Sequence, residues 1–436
     1  MLIINPSLQH SNTPTLQHSD TPILQRTNEE VHISTAPTPK EFGCLHGLRV
    51  LDLSRVLAGP FCTQLLGDMG AEIIKIEQPG KGDDTRQWGP PWFHGESAYY
   101  LSCNRNKKSV TINFKHRAGQ DLIRRMVEHA EVVVENFKPG ALEKYGLDYE
   151  RLRLRNPRLI YCSITGYGQT GPYKDLSGYD FIVQAQGGIM SITGEAEGEP
   201  CKVGVAIGDI MAGMYAANAI LAALVQRQQS GIGQHIDLAL LDSQVSWLAN
   251  VAMNYLVSHE PPQRYGNAHP NLVPYQPFAT LDGHIAIGVG NDEQFRRLCS
   301  QLGREDLAAH ASYRTNALRV AHREALIAEL QNEFRKRTTG AWLALMAPAE
   351  IPAGRINTVP EALNNTHVRA RDMVQHVPHA SGELVPLLGP VAKFSATPSA
   401  IRLPPPLLGQ HTEEVLGDWL GMSADEVEAL HSEEVI

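Results

Sequence analysis

Short apolar runs alternate with segments of helical period from Gly47 onward, and no other feature narrows the fold so far. Runs at residues 50–53, 73–77, 110–113, 132–136 and 159–163 are rich in Val, Ile and Leu and too short for helices. Helical stretches fall between them at residues 60–69, 118–129 and 141–145. Strand–helix–strand order joins parallel neighbours by right-handed crossovers. The expected fold is α/β, with a doubly wound, Rossmann-like parallel sheet in a large domain. Ligands of such sheets lie past the C-terminal ends of the strands.

Further along, residues 234–238 read as another strand and residues 243–257 as a helix. The Pro-rich segment 261–277 then reads as a linker. A strand at residues 283–288 and helices at residues 292–302 and 321–337 suggest a second, smaller α/β domain over residues 278–358. The large domain is thus expected over residues 45–260, with residues 359–436 as a return linker and its C-terminal part. Residues 1–44 read as a disordered, low-complexity tail. Ser7 to Pro14 and Thr15 to Pro22 repeat a period of eight rich in Pro and polar residues, which prevents both a helix and a core. The tail lacks the apolar block of a secretory signal, and the repeat raises the expectation that the mature protein begins near Leu45.

A formal net charge of -9 argues against a general nucleic-acid binder, since phosphate neutralisation needs a clustered basic excess. No membrane partner is expected. The six cysteines are scattered without a C-x-x-C pair and no H-E-x-x-H occurs, so no metal and no disulfide framework is expected. A reducing compartment follows: the cytoplasm, or the mitochondrial matrix if the source is eukaryotic. Gly166-Tyr167-Gly168-Gln169-Thr170-Gly171 follows a strand and matches G-x-G-x-x-G. Pro172, Lys174 and Asp175 stand where an apolar helix face belongs, so it is discounted as a dinucleotide site.

Asp209 stands immediately before residues 210–226, a stretch with no charged residue and helical character. Such a helix should be buried on most faces, which half withdraws the acid from water. Desolvation would raise its pKa, while free amides and the positive helix end favour the carboxylate. The bland reading is an N-cap; the chemical reading is a poorly hydrated nucleophile.

Five blocks, in order, then resemble the class III CoA-transferases. These are residues 51–60 (Leu-Asp-Leu-Ser-Arg-Val-Leu-Ala-Gly-Pro), residues 104–109 (Asn-Arg-Asn-Lys-Lys-Ser), Val134-Glu135-Asn136-Phe137, Gly208-Asp209, and residues 407–412 (Leu-Leu-Gly-Gln-His-Thr). The resemblance runs from Leu45 to the C-terminus. It is closest to the succinyl-CoA:glutarate branch, through residues 166–172 and Val273-Pro274-Tyr275-Gln276.

The resemblance implies that Asp209 is the nucleophile, loaded and unloaded covalently as CoA moves from an acyl-CoA to a free carboxylic acid. It implies no permanently bound cofactor, coenzyme A being a substrate moiety, and an intertwined homodimer. Tyr179, Asp180 and Tyr99 would contact the acyl group, with Arg55, Leu57 and Gly208 beside them. Without the resemblance Tyr179 reads as a core aromatic and Asp180 as a helix cap. CoA would be held by Val56, Ala58, Gln78, Arg86, Ile112, Lys115, Asn136, Phe137, Lys138 and Lys144. Relatives that carry Arg at the position of Gln78 put the phosphate contact there in doubt. A dicarboxylate acceptor needs a cation for its distal carboxylate, and Arg55, Arg86 and Arg105 are the candidates. Two other readings stand beside this one. One is a 2-methylacyl-CoA racemase of the same fold, disfavoured by Tyr179 where those enzymes carry His; the other is a non-catalytic nucleotide-binding protein.

Overall fold

The computed structural model describes residues 43–436. The tail expected over residues 1–44 lies outside the described residues except for Gly43 and Cys44. In chain order the first part comprises β1 (Arg49–Asp52), α1 (Ala58–Asp68), β2 (Glu72–Glu77), a hairpin of β3 (Trp92–Phe93) and β4 (Glu96–Ser97), α2 (Ala98–Ser102) and β5 (Lys107–Thr111). There follow α3 (Arg117–Val127), β6 (Val132–Glu135), α4 (Tyr149–Leu152), β7 (Ile160–Thr165), α5 (Asp180–Gln186), α6 (Ile189–Ile192), α7 (Ile207–Ser230), β8 (His235–Ala239) and α8 (Leu240–Ser246).

Six of these strands form one parallel sheet in the order β5-β2-β1-β6-β7-β8. Successive strand residues point to opposite faces, and each face has its own core. Leu51, Ile74 and Val133 pack with Leu122, Ile123 and Met126 of α3 on one side. Val50, Ile73, Val132 and Val134 pack with Cys62 and Leu66 of α1 and with Ala212, Ala216 and Ile220 of α7 on the other. This is why successive residues such as Val50-Leu51, Ile73-Ile74 and Val132-Val133 are apolar rather than alternating with polar ones.

Small residues let α7 approach α1 closely. A Cβ on Gly213 would lie 2.6 Å from the Ala58 carbonyl oxygen, so the first residue of α1 touches α7 within two turns of its start. The other side of α7 departs from the expectation of burial on most faces: Met214, Tyr215 and Val225 are exposed. The expected single helix at residues 243–257 is two, α8 and Ala249–Ser258, broken where Ala249 adopts φ 43°.

A three-stranded antiparallel sheet, Tyr275–Ala279, His284–Gly288 and Ala353–Arg355, has a separate core that includes Phe278, Phe295, Leu330 and Trp342. That core begins at Val273, inside the segment read as linker. The chain then returns to the large sheet. The His411 amide donates to the Ser109 carbonyl at 2.9 Å, the Asn113 amide to the Val435 carbonyl at 2.7 Å, and Trp419 packs in the α3-side core.

Candidate active site

The strand order branches at β1, whose neighbours are β2 on one side and β6 on the other, and residues of the loops leaving β1 and β6 line a crevice there. Side chains fasten the two loops together. The Asn136 amide oxygen accepts from the Arg55 backbone N–H at 2.9 Å, and its nitrogen donates to the Arg55 carbonyl at 2.6 Å. Val56 is held at φ 71°, a left-handed conformation that is an outlier for a β-branched residue and costs about 1 kcal/mol or more. Its amide donates to both carboxylate oxygens of Asp83, each at 3.2 Å. Gly59 must be glycine, because a Cβ there would lie 2.2 Å from the Ser54 Cβ.

Two helix starts meet at this crevice. α1 begins after Leu57 and α7 after Ala206, and neither has a side-chain cap on its own N-cap residue. Asp209 is the third residue of α7, so the N-cap reading is corrected: helical geometry begins two residues before it. Capping comes from across the fold, since Asp180 Oδ1 accepts the Gly208 amide at 2.7 Å and its Oδ2 accepts from Gln184 Nε2 at 2.7 Å. Burial, then the negative charge of Asp180, pushes the Asp209 carboxyl up to about 7. Tyr99 is raised well above the usual phenol range by burial and then by the charge of Asp209, so it stays a neutral hydroxyl donor at physiological pH.

The crevice encloses about 620 Å³. Asp209, Val56, Leu57 and Ala58 line its α1 end, and Phe137 and Tyr179 form its walls. The Arg55 guanidinium lies 5.2 Å over the Phe137 ring and 3.0 Å from Asp84. Trp88, whose ring meets that of Tyr99 edge-on at 5.1 Å, closes another side. Asp209, with no cation among the influences that shift it, suits a nucleophile, and the amides of the α1 start, which lacks a side-chain cap, suit the oxyanion that forms when it attacks.

The model of CoA-transferase family III matches residues 45–412. The chain belongs to that family. A succinate--glutarate CoA-transferase of Agrobacterium fabrum is 49% identical over 380 residues, 86% of this chain and 95% of its own. A succinyl-CoA:glutarate CoA-transferase of Mus musculus is 45% identical over 386 residues, 88% of each chain. The crystal structure of a CAIB/BAIF family protein from Brucella suis superimposes with a TM-score of 0.77 at 46% identity, covering 87% of this chain and all (100%) of that one.

Within this CoA-transferase, the residues named from sequence divide into three groups. Arg55, Val56, Leu57, Ala58, Asn136, Phe137, Lys138, Tyr179 and Asp209 line the crevice. Gly208 and Asp180 are bonded to each other behind Asp209, and Tyr99 reaches the site through Trp88. The others stand elsewhere. Ile112 has no exposed surface and packs in the α3-side core, which leaves its side chain no route to a ligand. Lys115 and Gln78 are exposed at the ends of β5 and β2, and Lys144 lies over the Tyr145 ring in a separate groove.

Two arginines offered for a phosphate or a distal carboxylate are withdrawn. Arg86 is buried and its guanidinium serves Glu77, Glu96, the Tyr100 hydroxyl and the Pro406 carbonyl. Arg105 is buried and bound through two nitrogens to Asp68 at 2.9 and 2.6 Å. The side chain of Asn136 also has a different task, since both of its polar atoms are spent on Arg55.

Sequence reasoning passed over Asp83, Trp88, Lys174, Thr165 and Glu135. Lys174 and Thr165 line the crevice. Glu135 is buried, accepts the Phe137 amide at 2.8 Å, and is pushed up to about 7 by burial. An acid ending an otherwise apolar strand was the available signal for it. The glycine-rich loop at residues 166–171 behaves as its discounting requires. The next helix, α5, starts only at Asp180, and the Gln169 amide is spent on both oxygens of Asp237 at 3.0 Å. Among the described residues no group of His, Cys, Asp and Glu could hold a metal ion.

Proposed function

We propose that the protein moves CoA from succinyl-CoA to glutarate through covalent intermediates on Asp209. The observation that carries this is the Asp209 carboxyl itself, without a cation partner among the described residues and pushed up to about 7 by burial where two helix starts converge. Its oxygen adds to the thioester carbonyl, and the oxyanion is met by helix-start amides and the neutral Tyr99 hydroxyl. Collapse expels CoA thiolate and leaves a mixed anhydride. The thiolate adds to the Asp209 carbonyl, succinate leaves as carboxylate, and an aspartyl-CoA thioester remains. Glutarate carboxylate then displaces the thiolate from Asp209, and the thiolate attacks the glutaryl carbonyl to release glutaryl-CoA and free Asp209. Every thioester broken is remade, so no external energy source is required. The relatives named for succinate and glutarate support this substrate pair.

Among the described residues Arg55 is the arginine that lines the crevice, and it is proposed to meet the distal carboxylate in exchange with Asp84. The racemase reading needs an imidazole near the acid, and among the described residues no histidine lines the crevice. The exposed apolar side chains of the helix Ala249–Ser258, Leu256 at 61% and Val257 at 75%, together with Phe181 and Tyr215, support a homodimer that covers them. Hydroxylamine trapping tests the chemistry: succinyl-CoA should leave a hydroxamate on Asp209, detected by peptide mass. Transfer that proceeds with no adduct there removes Asp209 from the mechanism.

A further inference from the structure

Val56 is the only β-branched residue at positive φ among the described residues, and it stands in the crevice wall between Arg55 and Leu57. A backbone so disfavoured persists only if its surroundings fix it. What fixes it is Asp83, which does not line the crevice. Asp83 is 1% exposed and held from several directions. Lys75 Nζ donates to its Oδ2 at 2.9 Å, and the Thr85 amide and hydroxyl donate to its Oδ1 at 3.0 and 2.8 Å. Its two oxygens then share the Val56 amide. Lys75 also donates to the Ser54 carbonyl at 2.9 Å. The Asp83–Lys75 pair therefore grips the β1–α1 loop on both sides of Arg55.

The kink at Val56 determines where α1 begins. Ala58 of that first turn is in contact with α7 at Gly213, one turn beyond Asp209. We infer that Asp83 is a positioning residue that holds Val56 in its left-handed conformation and so sets the first-turn amides of α1 against the carbon at which Asp209 reacts. The inference rests on Asp209 being the acyl acceptor.

Asp83→Asn keeps the size but cannot keep the bonds. An amide turns its oxygen to Lys75 or to Thr85, and the other side then meets an N–H donor. Displacement of amides by about 1 Å costs on the order of 100-fold in rate. Glycine adopts φ near 71° without strain, so Val56→Gly should make the loop independent of Asp83. The test is a double-mutant cycle in kcat for succinyl-CoA and glutarate. Asp83→Asn should lower kcat about 100-fold with valine at position 56 and about 3-fold or less with glycine there.

The same fold-loss in both backgrounds, or no loss with valine, overturns the inference. Should Asp83→Asn not fold, Thr85→Val loosens Asp83 while leaving its pair with Lys75. The same cancellation by Val56→Gly is then expected, and additivity again overturns it. A crystal structure of either variant gives a readout apart from activity: residue 56 should leave positive φ, and retention of it defeats the proposal. A wild-type protein without CoA exchange would instead fail the assignment of Asp209, while the crystal structure would still decide the role of Asp83.

Discussion

Two sets of acids withdrawn from water lie at and beneath the crevice, Asp209 half-buried and the others buried, and they titrate in opposite directions. Beneath the loops burial would raise Asp52, but Lys107, 3.1 Å away, and Lys75 outweigh it and hold the carboxyl below its usual range. Asp83 is likewise subject to burial, yet Lys75 and the Thr85 amide bring it to about 2. Asp209 and Glu135 meet the same burial without a cation, and both are pushed up to about 7. Burial is common to the four; the presence of a lysine separates them. An acid paired with a lysine in the interior stays ionised and shapes the backbone, whereas one without a cation changes its charge near neutral pH.

The strongest test removes the unpaired acid. Asp209→Asn should cost on the order of 10⁴-fold or more in transfer rate, read by mass spectrometry of the product thioesters. It should also raise stability at pH 8. The native Asp209 binds its proton more tightly than the unfolded chain does, so stability declines as pH climbs from about 4 through about 7, and asparagine abolishes that decline. The gain should be roughly 2 kcal/mol, allowing for contact with solvent, measured as a denaturation midpoint at pH 5 and pH 8.

Breaking a pair should do the reverse. Lys75→Met strands Asp83 in the interior, while Asp52 keeps Lys107, and is expected to cost about 3–5 kcal/mol in urea unfolding at pH 7. The contribution of Asp83 has the opposite pH sense to that of Asp209: it is present above about pH 4 and is lost as pH falls toward 2.

A smaller effect sharpens the comparison through rate. Because Asp209 must be ionised to attack, kcat/KM should fall about tenfold per unit below pH 7 and level off above it, and a limb centred near pH 4 would place a cation beside Asp209. Smallest is Arg55→Lys. It should raise KM for glutarate about tenfold and leave KM for succinyl-CoA within about twofold, since lysine lacks the paired donors that match a carboxylate.

The sheet was legible because its strands obey a local rule. Val50, Ile73 and Val132 face one core while Leu51, Ile74 and Val133 face the other, so consecutive residues of each run are apolar, with charges such as Asp52 and Lys75 only further along. Asp209 was conspicuous for the uncharged residues after it, but its role came from the resemblance, and its place within rather than before the helix came from the backbone. The arginines misled because the triplets around Arg55, Arg86 and Arg105 give no hint of which guanidinium meets Asp84 at the surface and which meet Glu77 and Asp68 inside. The exposed side of α7 also escaped, since an apolar helix reads alike whether its own chain or another molecule is to cover it.

Sequence alone determined the α/β class, the strand runs and the isolated acid at the head of an uncharged helix, because each depends on hydrophobicity and spacing within a few residues. Tertiary structure decided which acids have cations. Asp83 and Lys75 are eight residues apart, but Asp52 and Lys107 are 55, and Asp180 caps Gly208 from 28 away. Charge interactions depend on distance in space and on the water excluded between groups, and the chain order of these residues carries neither.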